Sequence, residues 1–198
     1  RRKFFNLSQS DKNLHHPATP SQQRGYHAFA TRGLAYTLGN DAPPDLRETF
    51  FLGPLDDHRK YYEALPGAKG AYAPNIFPTV PTGFPSALRN IYRHYQHLSG
   101  DILRIFATAL SLNEYFFSNL IQRHFSILSS HHYPALLTPP APGQMRTGAH
   151  TDFGAITILA MTQASGGLEV LMPDETWCSV RPKENQLVVN LGDMMALW

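Results

Sequence analysis

The sequence predicts an α+β protein, with a helical and irregular N-terminal part followed by a β-rich C-terminal part. Three observations carry this. Apolar residues recur at helical spacing from Leu88 to Leu110. After Arg123 the pattern changes to short β-branched and aromatic runs separated by turn formers. Between residues 39 and 85, prolines and glycines are too frequent for either regular structure, which predicts a long irregular connection wrapped over a core.

In chain order, Arg2 to Leu7 reads as the tail of a helix, and Gly25-Tyr26-His27-Ala28-Phe29 as a short extended piece. Asp45 to Phe50 suits a short turn of helix or a strand. The clearest helix starts at a Ser86 cap after Pro85 and runs to about Leu112. Gly100 lies inside it, at a cost of about 1 kcal/mol relative to alanine, and suggests close packing there. A second helix is expected from an Asn113 cap through Tyr115, Phe116, Leu120 and Ile121. Strands are expected at Phe125–Leu128 with Tyr133, Ala155–Met161, Leu168–Met172, Trp177–Val180 and Leu187–Leu191. Turns are expected at Ser165-Gly166-Gly167, Pro173-Asp174-Glu175 and Gly192-Asp193. Short strands at this spacing argue for a sandwich or barrel, although only about five fit where a jelly roll takes about eight.

At 198 residues the chain is long enough for one domain with a real core, and a hydrophobic content of 42% excludes wholesale disorder. The net charge of +2 comes without a lysine or arginine run, so no nucleic-acid partner is expected. No apolar stretch approaches membrane-spanning length, so no membrane partner is expected either. The single cysteine, Cys178, forbids an internal disulfide and fits a reducing, cytoplasmic setting. The chain opens on Arg1 without an initiator methionine and closes on the apolar run Met194 to Trp198, which suggests an internal piece of a longer protein.

The chemistry concentrates at Gly148-Ala149-His150-Thr151-Asp152-Phe153-Gly154. On an extended backbone, residues two apart point to one face, so the His150 imidazole and the Asp152 carboxylate would converge. That is two thirds of a 2-His-1-carboxylate triad, the ligand set of non-haem Fe(II) oxygenases. The bland alternative is a histidine hydrogen-bonded beside an aspartate at a strand start. His94 and His97 share a helix face but have no carboxylate partner, so they read as a solvated face. His131 and His132 are adjacent and should face opposite ways on a strand. Asn190 and Asp193 read as turn chemistry. Phe153, Leu168 and Trp177 read as core or pocket wall. Arg146 reads as a surface loop arginine, with an anionic substrate as the alternative.

Taken together, these stretches resemble the isopenicillin-N-synthase-like branch of the Fe(II)/2-oxoglutarate-dependent dioxygenases. The matching pieces are Arg24-Gly25-Tyr26, Pro44-Asp45-Leu46-Arg47-Glu48-Thr49-Phe50, the long helix and His132-Tyr133-Pro134. After them come Gly148 to Gly154, Gly166-Gly167-Leu168-Glu169-Val170, Trp177 with Val180, and Val189-Asn190-Leu191-Gly192-Asp193. The resemblance implies a double-stranded β-helix (jelly roll), here incomplete, with N-terminal helices packed around it. It divides the chain into an N-terminal region at 1–122 and a C-terminally truncated dioxygenase jelly-roll domain at 123–198.

It further implies Fe(II) bound by His150 and Asp152, 2-oxoglutarate contacted by Tyr133, and O2 and a small organic molecule as the other reactants. Ascorbate would be a supporting reductant. The products would be succinate, CO2 and a hydroxylated, desaturated or cyclised molecule. The resemblance puts the family's distal histidine and its arginine-x-serine pair beyond Trp198, so the piece by itself is expected to be inactive. Two alternatives stay open: a jelly-roll binding protein without catalysis, and an Fe(II) oxidase that dispenses with 2-oxoglutarate.

Overall fold

The structure is a computed structural model that describes residues 2–19, 22–34, 39, 42–68, 72–162 and 166–197. It falls into two compact units, Arg1–His150 and Thr151–Trp198. Helix and sheet are mixed, as the sequence predicts, with the helices longer than a single turn confined to the first unit. Ser165 of the expected turn lies outside the described residues, while Gly166 and Gly167 both take positive φ, 66° and 92°.

The first unit is built on a three-stranded antiparallel sheet of β1 (Gly25–His27), β2 (Glu48–Leu52) and β3 (Leu128–His132), with β2 in the centre. Asp45 to Phe50 is therefore a loop leading into a strand. The register pairs Tyr26 with Phe50, Thr49 with His131 and Glu48 with His132. All five residues of β2 are buried, so both of its faces are covered. One face meets α1 (Arg2–Phe5) and the start of α4 (Phe84–Ala109). The Phe4 ring stacks on Phe84 at 4.9 Å and meets Phe50 edge-on at 5.0 Å. Phe5, Tyr26, Leu52, Leu88 and Tyr92 complete this core. Each such ring or leucine contributes about 2–3 kcal/mol by leaving water. Two short helices, α2 (Gln9–Asn13) and α3 (Arg59–Glu63), flank the sheet segments along the chain.

A buried charge sits inside this core. Glu48 accepts from Lys12 Nζ at 2.7 Å and Tyr26 Oη at 2.5 Å on one oxygen, and from His132 Nδ1 at 2.7 Å on the other. Phe5 stacks on His132 at 5.1 Å, which ties α1 to the same network. Burial, with the Glu48 hydrogen bond behind it, pushes the Tyr26 hydroxyl well above its ordinary pKa.

Helix α4 begins two residues before the expected Ser86 cap. Gly83 is its N-cap, with φ of 84°, and Pro85 sits in the first turn, where a missing N–H leaves nothing unpaired. Leu88 and Tyr92 face the core, but Ile105, expected on the same stripe, is 66% exposed. The close packing expected at Gly100 is not found: among the described residues, nothing lies within 4 Å of where its Cβ would be. Gly100→Ala is therefore expected to raise stability by about 1 kcal/mol, through helix propensity alone. An unchanged or lower urea midpoint would contradict this.

The second helix expected from Asn113 is absent, and residues 114–123 form a run of turns. Asn113 Oδ1 accepts from Tyr115 N, and most backbone bonds there span three residues rather than four. Only Phe117 of this stretch is buried, at 3% exposure. Without a buried stripe, a short helix is not stable.

Among the described residues, the second unit holds four strands in two separate pairs. β4 (Ile156–Leu159) pairs antiparallel with β7 (Val188–Leu191), and β5 (Glu169–Leu171) with β6 (Trp177–Ser179). The expected turn at Gly192-Asp193 is instead the start of a short helix, α5 (Asp193–Ala196), capped by Gly192. Phe153 and Trp177, expected as core or pocket wall, are 64% and 52% exposed, and Leu168 is half-buried. β5 and β6 are exposed along their whole length, so the Trp177 ring has no covered face to enter. Among the described residues, no helix is long and apolar enough to cross a membrane.

Candidate metal site

The approach to His150 is an irregular strap that runs beside the start of β2. Leu46 N donates to Met145 O at 2.9 Å, Gln144 Nε2 to Pro44 O at 3.0 Å, and Gly148 N to Asp45 Oδ1 at 2.9 Å. Arg146, exposed as expected of a surface loop arginine, donates through Nη1 to Pro134 O at 2.6 Å. Tyr133, just past β3, hydrogen-bonds through its hydroxyl to Thr147 Oγ1 at 3.0 Å. It thus touches the strap shortly before His150. Pro43, Asp45, Gly143, Met145, Gly148 and Ala149 line a small hollow here, of about 210 Å³.

His150 closes the first unit. Its Nδ1 lies 2.8 Å from Gly148 O. A carbonyl only accepts, so Nδ1 carries the proton and the lone pair of the neutral ring is on Nε2. Such a backbone bond fixes the tautomer and orientation of a metal-ligating histidine.

Asp152 opens the second unit and is held by the end of β7. Asn190 Nδ2 donates to Asp152 Oδ2 at 2.8 Å, and Asp193 N donates to Asp152 O at 2.7 Å. Thr151 Oγ1 donates to Asp193 Oδ2 at 3.0 Å. Asn190 and Asp193, read from sequence as turn chemistry, thus grip the segment that carries the aspartate. Their place in Val189-Asn190-Leu191-Gly192-Asp193 was the available signal.

Gly192 explains why this grip is so close. A Cβ there would stand 2.0 Å from Gly154 O and 2.7 Å from Asp152 O. Its φ of −99° is ordinary, so the requirement is space rather than backbone freedom. Gly192→Ala is expected to cost about 3 kcal/mol by forcing two backbones apart. A urea midpoint equal to the parent's would show that the strands part without penalty.

His131 and His132 face opposite ways, as expected. His131 Nδ1 meets Thr49 Oγ1 at 2.9 Å, while His132 belongs to the Glu48 network. Among the described residues, no group of three or more His, Cys, Asp or Glu side chains is placed to hold a metal ion. This includes His94 and His97. The pair His150 and Asp152 therefore rests on its spacing along the chain and on the bonds that orient each member.

Comparison with known proteins gives this pair a context. The model of the 2OG-Fe(II) oxygenase superfamily matches residues 116–198. Validamycin A dioxygenase of Streptomyces hygroscopicus subsp. limoneus is 32% identical over 199 residues, which cover 100% of this chain and 53% of that protein. The crystal structure of a full-length Neurospora crassa protein in complex with alpha-KG superposes with a TM-score of 0.77 at 30% identity. That match covers 98% of this chain and 58% of the Neurospora chain. JOX2 in complex with 2OG, Fe and JA gives a TM-score of 0.75 at 25% identity, covering 98% of this chain and 52% of JOX2. The chain spans about half the length of the relatives it matches. A family model over the β-rich segment and structural likeness over nearly the whole chain agree: residues 116–198 carry a 2OG-Fe(II) oxygenase superfamily match, and the chain as a whole is similar to proteins of that superfamily.

Proposed function

We propose that this chain is part of an Fe(II)- and 2-oxoglutarate-dependent dioxygenase that oxidises a small organic molecule, most simply by hydroxylation, with succinate and CO2 as co-products. The observation that carries it is the pair His150 and Asp152, each fixed by its own hydrogen bond, the imidazole to Gly148 O and the carboxylate from Asn190. A neutral imidazole with its lone pair on Nε2 and an oriented carboxylate are the donor types that Fe(II) takes in this family, so the residues present fit the metal. The family's distal histidine is the third ligand of this reading. Iron, when bound, supplies the redox chemistry that couples loss of CO2 from the 2-oxo acid to oxidation of the substrate.

The chain's own residues do the positioning. Tyr133 presents a hydroxyl beside the strap and is the proposed contact of the 2-oxoglutarate carboxylate, in exchange for or in addition to Thr147. The hollow beside Gly148 and Ala149 offers a mostly apolar wall on the strap that leads to the histidine. The Neurospora crassa protein has also been solved with alpha-KG and thymine, and validamycin A dioxygenase is named for a small molecule, which supports that substrate class here. The proposed fold is the family's jelly roll, of which 123–198 is one part, with 1–122 as the region packed around it. The exposed thiol of Cys178 suits a reducing, cytoplasmic setting.

The test is succinate release by the full-length protein with Fe(II), 2-oxoglutarate and ascorbate, with O2 uptake followed in parallel. Iron-dependent succinate formation supports the reading. A protein that neither retains Fe(II) nor turns over 2-oxoglutarate overturns it.

A further inference from the structure

We propose that Asp45 is a positioning residue for His150, acting through the two backbone groups of Gly148. The proposal rests on the reading of His150 as a ligand. Asp45 is 2% exposed and stands 105 residues before the histidine it serves. Its Oδ1 accepts from Gly148 N at 2.9 Å, and Gly148 O in turn accepts from His150 Nδ1 at 2.8 Å. Gly148 is thus pinned on its donor side by the carboxylate and pins the imidazole from its acceptor side.

The carboxylate is itself fixed. Its residue donates through its own N–H to Arg32 O at 2.8 Å and accepts at its C=O from Arg47 N at 2.8 Å. Arg47 Nη2 stands 3.0 Å from Oδ2, an ion pair whose approach lacks hydrogen-bond directionality. Leu46 N to Met145 O and Gln144 Nε2 to Pro44 O hold the strap alongside.

A buried charge is costly unless it is paired, and a neutral carbonyl would satisfy the Gly148 N–H without that cost. A charge-assisted bond is shorter and stronger than a neutral one, and the gain here falls on the N–H of Gly148, the residue whose C=O meets His150 Nδ1. With Asp45 gone, the strap is free to shift at Gly148 and the ring to populate the Nε2–H tautomer. That form has no lone pair at the nitrogen used here for the metal. Apparent metal affinity falls by the fraction of competent rings lost. This also gives a physical reason for the Pro44-Asp45-Leu46-Arg47 motif, which lies far from His150 in sequence.

The experiment uses the full chain, metal-free, with ¹⁵N-labelled histidine at about pH 8.5, above the ordinary imidazole range. The parent is expected to show the His150 ring shifts of the Nδ1–H tautomer. Asp45→Ala is expected to lose that signature, and anaerobic Fe(II) titration to show affinity about tenfold or more weaker. Asp45→Asn keeps an oxygen acceptor at the same place and is expected to retain the signature. A second variant replaces only the Gly148 N–H by an ester oxygen through semisynthesis, leaving every side chain in place. It is expected to reproduce Asp45→Ala, and it decides the matter if Asp45→Ala does not fold. Ring shifts and Fe(II) affinity equal to the parent's in the ester variant overturn the proposal. Altered ring shifts in a chain whose parent never binds Fe(II) would uphold the coupling of Asp45 to His150 and overturn the ligand reading alone.

Discussion

Glu48→Ala is expected to destabilise the protein by about 3–5 kcal/mol, the cost of breaking a buried ion pair by removing one partner. Three donors converge on this one carboxylate, and all lose their acceptor together: Lys12 Nζ, Tyr26 Oη and His132 Nδ1. Lys12 is the costliest of them. Its ammonium lies in the core, where Phe5 O at 3.3 Å and the Tyr26 ring at 5.3 Å are neutral neighbours that cannot balance its charge. The double variant Lys12→Met/Glu48→Leu is expected to recover most of the loss, because an apolar pair of similar volume often equals a buried ion pair. Urea denaturation of the parent, Glu48→Ala and the double variant measures it. A single Glu48→Ala that unfolds at the parent's midpoint would show that the network adds nothing.

The same network sets a pH dependence. Burial by itself raises the Glu48 pKa, but the bonds from Lys12, Tyr26 and His132 outweigh it and leave the value below the ordinary glutamate range. A folded pKa below the unfolded one means stability that is fully present above the unfolded value, about 4.3, and lost as pH falls through the folded one. Acid unfolding of the parent is therefore expected to be steeper below about pH 4 than that of Lys12→Met/Glu48→Leu.

What was legible in the sequence follows the range of the interaction that decides each element. Helix α4 was legible because its period is local, and β4 and β7 because β-branched runs bounded by glycine carry their own signal. The turns at 114–123 were not, since the apolar residues there match a helix but only Phe117 finds a core. Glu48 looked like one charge in a short polar motif. Its partners lie 36, 22 and 84 residues away, and no local pattern announces them. The same holds for Asp45, whose role depends on Gly148, 103 residues on. The spacing of His150 and Asp152 stood out in the sequence, but the bonds that orient the aspartate did so only in part: Asn190 stood in view but read as a turn residue.

Those supports order the expected effects at the candidate metal site. His150→Ala and Asp152→Ala each delete a proposed ligand, and in the full-length protein both are expected to abolish Fe(II) retention and succinate release. Asn190→Ala leaves both ligands and removes only the amide that donates to Asp152 Oδ2 at 2.8 Å. Loss of such an outer hydrogen bond costs about 10- to 100-fold in metal affinity. Thr151→Ala removes a hydroxyl that touches Asp193 rather than either ligand, so its effect should be the smallest of the four. Anaerobic Fe(II) titration and succinate release, read with thermal unfolding of each variant, separate this ranking from plain loss of fold. If Thr151→Ala lost iron as completely as Asp152→Ala while remaining folded, the ranking by directness of contact with the ligands would be overturned. If Asn190→Ala bound iron as tightly as the parent, the orientation of Asp152 would not depend on the Asn190 amide.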